Sequence, residues 1–402
     1  MIWSPQATAA VLKDGDFVAI CGDSITAQKL YSLYMEDYLI LCRPKAKLQA
    51  MQFGWGGEKA PSFLERMNND VLQFRPTVVT LCYGMNDGGY AASNPKSLES
   101  YRVALEKIVA GLKAGGVSDI IIGTPGAVDT DSFKKLDPAV YNQTLEDLGK
   151  IAKEISQKEN VGFADVHSAM LEAMAKAKAK YGPKYLVAGS DGIHPNRNGH
   201  LIMAYAFLKA LGCDGDIGTI VFDMKNGTAE ASEDHKIISS GRSFVEIESR
   251  RYPFCFSGKP SQQDDNFGMT EFIAFNEDLN RFRLVVKNAP GKDVKVSWGE
   301  SSKVFSAADA ARGINLAAEF QANPFSKPFA DAETKIREKQ FAESPLSKDL
   351  LHSLPEWSQS FPDDQQIFKS LSAKIVERAS LLRKQASETL VPVTHKIVIE
   401  AL

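Results

Sequence analysis

Val18-Ala19-Ile20-Cys21-Gly22-Asp23-Ser24-Ile25-Thr26 is the stretch from which the fold of this chain can be worked out. The apolar run over 17–21 predicts a buried strand, the glycine and aspartate after it a tight turn, and the pattern over about 27–41 a helix. Such a turn exposes the Ser24 hydroxyl beside the free N–H groups at the start of a helix, which can stabilise a developing anion. Ser24 is therefore a candidate nucleophile; the alternative is that it only caps the helix.

Strand and helix patterns alternate through the first half of the chain. Strands are predicted over 17–21, 47–53, 77–83, 118–123 and 161–166. Helices are predicted over 27–41, 60–73, 97–114, 138–158, 168–180 and 197–211. This alternation is typical of an α/β fold, a parallel sheet with helices on both faces, in which functional groups gather at the carboxyl ends of the strands.

Three further loops carry candidate functional residues. The glycine-rich loop over 53–58 allows a close approach of its backbone at Gly57, or is only a flexible turn. Asn86 can donate its side-chain amide to a carbonyl oxygen, or close an Asx turn. Asp191 stands three residues before His194 and can orient the ring so that its other nitrogen acts as a base, although both residues also fit an ordinary loop.

Two other histidines are weaker candidates. Asp165 and His167 alternate at a predicted strand end, but two ligands do not make a metal site, so no metal is predicted there. His200 has no evident partner in the sequence and is interpreted as a packing or surface residue.

Composition excludes several classes of protein. A net charge of −3 and a pI near 6.1 do not favour nucleic acid or an anionic membrane as a partner. No apolar run reaches the roughly 18 residues of a membrane span. The first residues lack the pattern of a signal peptide, so the compartment stays open between the cytoplasm and export with a leader removed. The five cysteines have no close spacing and are predicted to be reduced and mostly buried.

The order Ser, Gly, Asn and Asp-x-x-His on the loops of one predicted sheet resembles the SGNH hydrolases, the superfamily of GDSL-type esterases and lipases. The resemblance covers about residues 15–212. Its four blocks are Gly22-Asp23-Ser24, Gly57, Gly84-x-Asn86-Asp87 and Asp191-x-x-His194. With the next residue, Ile25, the first block reads Gly-Asp-Ser-Ile instead of Gly-Asp-Ser-Leu. The second reads Gly56-Gly57-Glu58-Lys59 where Ser-Gly-Asp-Thr is more usual. The resemblance implies a flavodoxin-like parallel sheet covered by helices.

The resemblance also implies a role for each matched residue. Ser24 would be the nucleophile and His194 the general base, with Asp191 orienting the histidine. The oxyanion hole would be formed by the backbone N–H groups of Ser24 and Gly57 and by the side-chain amide of Asn86. Acyl transfer to serine and then to water requires only a base and oxyanion donors, so no cofactor and no metal are expected.

The character of the sequence changes after about residue 213. Two strand-like runs flank Asn226-Gly227, a strong hairpin signal, and further alternating runs follow. We therefore predict three domains or segments: a catalytic domain over 1–215, a small all-β domain over 216–304 and a helical segment over 305–390. The alternation over 393–400 predicts that the segment 391–402 returns to pair with the β domain, because a half-apolar strand must join a sheet.

The leading functional hypothesis is a serine esterase that forms an acyl-enzyme and removes a short acyl group, such as acetyl, from a carbohydrate. The carbohydrate rests on analogy with hydrolases that carry a β domain. Trp55, Tyr83 and Tyr90 can stack on sugar rings or belong to the core. A lysophospholipase, lipase or thioesterase is the alternative enzyme, and a binding protein with an idle hydrolase domain is the third hypothesis. The expected partner is a small ester or an acylated carbohydrate, and the oligomeric state is left open.

Overall fold

The structure is a computed structural model that describes residues 12–402. Its first half alternates strands with helices, as the sequence predicts. The strands are β1 (Phe17–Gly22), β2 (Gln49–Gln52), β3 (Val78–Cys82), β4 (Asp119–Gly123) and β5 (Gly162–Ala164). The helices are α1 (Ser24–Ala27), α2 (Tyr31–Asp37), α3 (Ala60–Asp70), α4 (Pro95–Ala114), α5 (Pro138–Glu159), α6 (Val166–Tyr181) and α7 (Arg197–Ala210).

The five strands form one parallel sheet in the order β2-β1-β3-β4-β5. All six residues of β1 are buried, as expected for a strand covered by helices on both faces. The chain moves from β1 to one edge at β2 and then returns to β3 on the other side of β1. Sheets of this order carry their sites in the crevice at that reversal, outside the carboxyl ends of the strands. Gly22 lies opposite Cys82 in the register, so the loops after β1 and β3 begin side by side.

The single helix predicted over 27–41 is wrong. Lys29 adopts a φ of +58°, which separates the four-residue α1 from α2, and a π-helical turn over Tyr38–Cys42 follows. The first N–H of α2, on Tyr31, donates to Nδ1 of His200 at 3.2 Å instead of to a carbonyl of a preceding helical turn. The apolar periodicity conceals the break because Tyr31, Leu33 and Tyr34 are still buried.

The second half of the chain contains nine strands and six helices among its described residues. The strands are β6 (Asp216–Asp223), β7 (Thr228–Ala231), β8 (His235–Gly241), β9 (Phe244–Ser249), β10 (Arg281–Lys287), β11 (Asp293–Trp298), β12 (Ser301–Ser306), β13 (Ile314–Asn315) and β14 (Val393–Ala401). The helices are α8 (Phe275–Leu279), α9 (Ala307–Arg312), α10 (Leu316–Glu319), α11 (Ser326–Pro345), α12 (His352–Ser360) and α13 (Gln365–Ser387). A π-helical turn over Leu346–Leu351 joins α11 to α12.

These strands form two sheets, in the orders β13-β10-β6-β7 and β12-β11-β14-β9-β8. The predicted hairpin at Asn226-Gly227 is confirmed by the antiparallel pairing of β6 with β7. The prediction of an all-β domain over 216–304 needs correction, because helical turns occupy Phe267–Glu271 and Phe275–Leu279. In addition, β13 comes from the segment 305–390 and pairs with β10. The division of the chain into three domains stays a prediction.

Strand β14 lies inside the five-stranded sheet, antiparallel to β9 on one side and to β11 on the other. Its alternate residues Val393, His395, Ile397 and Ile399 are buried, whereas Thr394, Lys396 and Glu400 are exposed. The pairing predicted for 393–400 is therefore present in the structure, and both edges of the strand are occupied.

Helix α11 packs against α2 through buried charges. Lys339 Nζ lies 2.7 Å from Glu36 Oε1 and 2.8 Å from Glu343 Oε2, and all three side chains are buried. Gln340 Nε2 donates to Glu36 Oε2 at 2.8 Å. Removing one member of such a buried group typically costs about 3–5 kcal/mol, because its partners are left uncompensated. The helical segment is thus fixed to the parallel-sheet half of the molecule.

A chain of hydrogen bonds crosses the interior between the two C-terminal sheets. Trp298 Nε1 donates to His395 Nδ1 at 3.1 Å, which leaves Nε2–H of His395 to donate to Ser249 Oγ at 2.9 Å. Ser249 in turn donates to His235 Nδ1 at 2.8 Å, and His235 Nε2–H donates to the carbonyl of Ile217 at 2.9 Å. Every donor has one acceptor, so both imidazoles are neutral. Burial, with the neighbouring His235 second, lowers the pKa of His395 to about 3.

Acid is expected to destabilise the protein by protonating His395, which breaks this chain of hydrogen bonds. The unfolded protein binds a proton on His395 below about pH 6.5, whereas the folded protein does not until about pH 3, so the free energy of unfolding falls as the pH is lowered. Between pH 6.5 and pH 4 the loss from this one group is about 3 kcal/mol. Urea unfolding at both pH values should show a smaller loss for His395→Gln than for the wild type. Equal losses would contradict the prediction; other titrating groups are common to both proteins and cancel in the comparison.

The cysteine prediction is confirmed. All five cysteines are free, four of them are buried and Cys255 is half-buried. Within residues 12–402, no helix is long and apolar enough to cross a membrane.

Candidate active site

The turn after β1 is shaped by two residues that precede Ser24. A Cβ on Gly22 would lie 2.1 Å from Thr26 Oγ1 and 2.8 Å from the Cys82 carbonyl oxygen, so only glycine fits there. Asp23 is the N-cap of α1, and its Oδ1 accepts the Ile25 N–H at 2.9 Å. The alternative that Ser24 caps the helix is therefore wrong. With the cap supplied by Asp23, the Ser24 hydroxyl is available for another partner.

That partner is His194. The distance from Ser24 Oγ to His194 Nε2 is 2.8 Å, and His194 Nδ1 lies 2.7 Å from Asp191 Oδ2. Asp191 Oδ1 also accepts the backbone N–H groups of Ile193 and His194, each at 2.9 Å. Partial burial favours a raised pKa for Asp191, but these hydrogen bonds outweigh it and hold the pKa below its usual range. The carboxylate is thus ionised and fixes the ring with Nδ1–H towards itself and the Nε2 lone pair towards Ser24.

The loop that carries Asp191 and His194 is held by residues that the sequence did not single out. The N–H of Asp129 donates to the Gly192 carbonyl at 2.9 Å, and Ser132 Oγ donates to the Gly189 carbonyl at 2.9 Å. The fully buried Asp129 carboxylate is paired with Lys178 at 2.8 Å. Lys178 lies on α6, and nothing in its local sequence indicates a partner on the loop after β4.

Asn86 faces the loop after β2. Its Nδ2 donates to the Glu58 carbonyl at 3.1 Å and lies 3.5 Å from Asp23 Oδ2, while Tyr90 Oη donates to its Oδ1 at 3.0 Å. The tyrosine therefore fixes which end of the amide points towards the β1 turn. Asp87, and not Asn86, closes the turn after β3, by accepting the Gly84 and Ala60 N–H groups at 3.0 and 2.9 Å.

Gly57 lies on the same side of the sheet. It has a φ of +72°, and among the described residues no heavy atom lies within 4 Å of the place where its Cβ would be. Three residues earlier, a Cβ on Gly54 would lie 2.3 Å from the Ala27 nitrogen. The loop after β2 therefore packs directly against α1, and this contact brings Gly57 to the edge of the crevice.

The polar residue that follows Gly57 has a structural role. The buried Glu58 carboxylate accepts two hydrogen bonds from Arg66, at 2.5 and 2.6 Å, and one from Tyr83 Oη at 2.8 Å. Arg66 also donates to the Phe53 carbonyl at 2.8 Å and lies 3.6 Å from Asp70. Tyr83 is buried, so of the two alternatives for this residue the structure supports a place in the core.

Two buried carboxylates lie under the crevice. Burial raises the pKa of Asp23 to about 7, although the Ile25 N–H lowers it, and the nearby charges of Asp87 and Glu58 raise it further. Burial likewise raises the pKa of Asp87 to about 6 against the N–H groups of Ala60 and Gly84. The raised pKa of Asp23 reduces the negative charge next to Ser24 near neutral pH, whereas Asp87 stays mostly ionised at pH 7.

The remaining candidates have structural roles. Asp165 caps α6 through the Ser168 N–H at 3.0 Å, and the buried His167 donates from Nδ1 to the Gly126 carbonyl at 3.2 Å. Within residues 12–402, no group of three His, Cys, Asp or Glu side chains is arranged to hold a metal. His200 is buried and does have partners: it accepts from Tyr31 and donates to Gln28 Oε1 at 2.8 Å, and burial lowers its pKa to about 3.

Comparisons with known proteins match both the first half and the whole fold. The sequence profile of the GDSL-like Lipase/Acylhydrolase family matches residues 20–202. An acetylxylan esterase from Geobacillus stearothermophilus is 27% identical over 188 residues, which cover 45% of this chain and 80% of that protein. A gut microbial diltiazem-metabolizing enzyme, 20% identical, superposes with a TM-score of 0.74 over 98% of this chain and 100% of its own. A crystal structure of an acetylxylan esterase from Geobacillus stearothermophilus, 24% identical, gives a TM-score of 0.43 over 50% of this chain and 96% of its own.

Residues 20–202 therefore form a GDSL-like domain of the SGNH hydrolase superfamily. The chain is a carboxylic ester hydrolase. The likeness to the gut microbial enzyme shows in addition that the parallel sheet, the two C-terminal sheets and the helical segment recur together in another protein.

Proposed function

We propose that Ser24, His194 and Asp191 are the catalytic triad and that the ester bond is cleaved through an acyl-enzyme. The observation that carries the proposal is the unbroken line of hydrogen bonds from Ser24 Oγ through the His194 ring to Asp191, at 2.8 and 2.7 Å. Ser24 Oγ attacks the ester carbonyl carbon while its proton passes to His194 Nε2, and the carbonyl oxygen becomes an oxyanion. Asp191 stabilises the imidazolium that forms.

The same ring completes the reaction. The tetrahedral intermediate collapses when its bond to the alcohol oxygen breaks and His194 returns its proton to that oxygen, which leaves the acyl group on Ser24. A water molecule then gives a proton to His194 and attacks the acyl carbon, and the second collapse releases the carboxylic acid and restores Ser24. The N–H groups of Ser24 and Gly57 and the amide of Asn86 are proposed to bind the oxyanion in both halves.

The proposed substrate is a carbohydrate that carries a short acyl group, in particular acetyl. Support comes from the acetylxylan esterase to which 188 residues of this chain are 27% identical. The test is acetate release from acetylated xylooligosaccharides, compared with hydrolysis of p-nitrophenyl esters of increasing chain length and of lysophospholipid. We expect activity to fall as the acyl chain lengthens. A maximum at long chains or on lysophospholipid would favour a lipase or lysophospholipase instead.

Asn86→Ala is expected to lower kcat about 10²–10³-fold with little change in KM, because an oxyanion donor acts mainly in the transition state. Asn86→Asp keeps the size of the side chain but removes the donor, so it should lose a comparable factor. Tyr90→Phe is the matched variant: it keeps Asn86 but removes the hydroxyl that fixes its orientation, and a smaller loss is expected. Steady-state kinetics on p-nitrophenyl acetate measure all three. A loss confined to KM would make Asn86 a substrate contact instead.

A further inference from the structure

A cavity of about 450 Å³ opens beside the loop that carries Gly57. One wall is that loop and helix α3, and the opposite wall is the start of α12, from the helical segment. The residues that line it include Trp55, Gly57, Ser62, Asn69, His352 and Pro355. Its volume lies within the roughly 300–1,000 Å³ of small-molecule sites. The cavity therefore begins at a proposed oxyanion donor and leads away from Ser24 along α3.

A second cavity, of about 630 Å³, continues in the same direction. Asn69 and Pro355 line both cavities, so the two are neighbours along one groove between α3 and the helices α12 and α13. Phe368 and Ser372 of α13 line the outer cavity. The GDSL-like domain alone would leave this side of α3 open, because the second wall lies outside residues 20–202.

Hydrogen bonds join the two walls of the groove. Asn69 Nδ2 donates to the Leu351 carbonyl at 2.9 Å, and His352 Nδ1 lies 2.7 Å from Asp70 Oδ2. Ser372 Oγ donates to Gln73 Oε1, in the turn that follows α3, at 2.6 Å. The buried side chains of Leu351 and Ile375 belong to the same core as those of α3. The groove is thus preformed, which lowers the entropic cost of binding a ligand.

The lining of the groove suits a ligand with many hydroxyl groups. Ser62 and Glu65 are exposed on α3 and offer a hydroxyl and a carboxylate along one side. The Phe368 ring and the exposed part of Trp55 supply apolar surface; the Trp55 ring also contacts His352, Arg66 and Lys348. Arg66 is already neutralised by Glu58, and the exposed charged residues of the lining are of mixed sign: Glu65, Arg75, Lys369 and Glu377. A neutral, hydroxyl-rich chain matches these groups better than either an acyl tail or an acidic polymer.

We propose that this groove binds the saccharide chain on the alcohol side of the ester, with the unit nearest the ester in the inner cavity and further units in the outer one. The inference rests on the proposed function, since it assigns the alcohol part of the same substrate. It also gives the helical segment a task in substrate recognition.

Tryptophan substitutions that fill each cavity test the proposal. Ser62→Trp should raise KM at least about tenfold for acetylated xylobiose and acetylated xylohexaose alike, a loss of about 1.4 kcal/mol in binding. Ser372→Trp should raise KM for the hexaose only, because the biose does not reach the outer cavity. Ser168→Trp, beside an unrelated cavity of about 210 Å³, is the matched control and should change neither. Glu65→Gln is a milder second variant that keeps the shape of the inner cavity.

Calorimetry with unacetylated xylohexaose and full-length Ser24→Ala measures binding to the groove without catalysis. Binding that is weakened by Ser62→Trp and retained with Ser168→Trp would support the proposal that the groove binds saccharide. This holds even if the wild type cleaves no acetylated sugar, a result that would overturn only the proposed substrate. If acetylated sugars are cleaved but the Ser62→Trp and Ser372→Trp variants keep wild-type KM and binding, the groove proposal is overturned while the proposed function stands. Absence of any oligosaccharide binding overturns it as well.

Discussion

Ser24→Ala is expected to lower ester hydrolysis by about 10⁴-fold or more, and His194→Ala by a similar factor. The reason is that the nucleophile and the base act as one unit: the 2.8 Å contact between Ser24 Oγ and His194 Nε2 serves a single proton transfer. The double variant should therefore be scarcely worse than either single one. Turnover of p-nitrophenyl acetate, and covalent labelling by a fluorophosphonate, measure the loss.

Two variants control this prediction. Ser168→Ala changes an exposed serine at the start of α6 and should retain wild-type turnover and labelling at Ser24. Asp191→Asn should lose less than His194→Ala, because a poorly oriented base still accepts a proton and an absent one does not. If Ser24→Ala kept a tenth of wild-type turnover, the assignment of the nucleophile would be wrong. If the fluorophosphonate did not label the wild-type protein at all, the hypothesis of an idle hydrolase domain would be supported.

Deletion of residues 391–402 is expected to unfold the five-stranded sheet and to loosen the helical segment. The deletion leaves β9 and β11 without their shared neighbour, and it removes the buried Ile397 and Ile399 and the His395 hydrogen bonds. Hydrogen exchange measures the result: amides of β9 and β11 should lose protection together, and the unfolding temperature should fall. A truncated chain with the wild-type unfolding temperature would refute the prediction.

A pair of single substitutions gives the same test if the truncated chain does not accumulate. Ile397→Ala should lower the free energy of unfolding by about 2–5 kcal/mol, the usual cost of such a change in a core. Thr394→Ala, on the exposed face of the same strand, should cost less than about 1 kcal/mol. Similar losses for the two variants would mean that β14 does not contribute a buried face.

Much of the parallel-sheet half could be predicted from the sequence, because its information is local. A strand buried on both faces requires a continuous apolar run, such as 17–21, and a parallel sheet aligns the carboxyl ends of its strands. The expectation that Ser24, Asp191 and His194 meet then follows from the position of their loops. The structure brings these three together over a separation of 170 residues between Ser24 and His194.

The parts that could not be predicted depend on partners far apart in the chain. The break between α1 and α2 involves the ring of His200, which lies 169 residues after Tyr31. The orientation of Asn86 is an exception, because Tyr90 lies only four residues further on, but nothing in the sequence indicates its role. β13 is two residues long and exists only because β10 lies beside it. The i,i+4 spacing of Arg66 and Asp70 on α3 was the one available sign of the buried network around Glu58.

The place of β14 also sets an order of events during synthesis. Lys295 of β11 and its register partner Glu400 of β14 are 105 residues apart, and the whole helical segment is translated between them. Until β14 emerges from the ribosome, β9 and β11 each present an unpaired edge, which is a template for association with other chains. Helices α11 to α13 can dock on the finished parallel sheet in the meantime. Closure of the second sheet is thus a late step, and the nascent chain passes through a state in which the catalytic half is built and the β region is not.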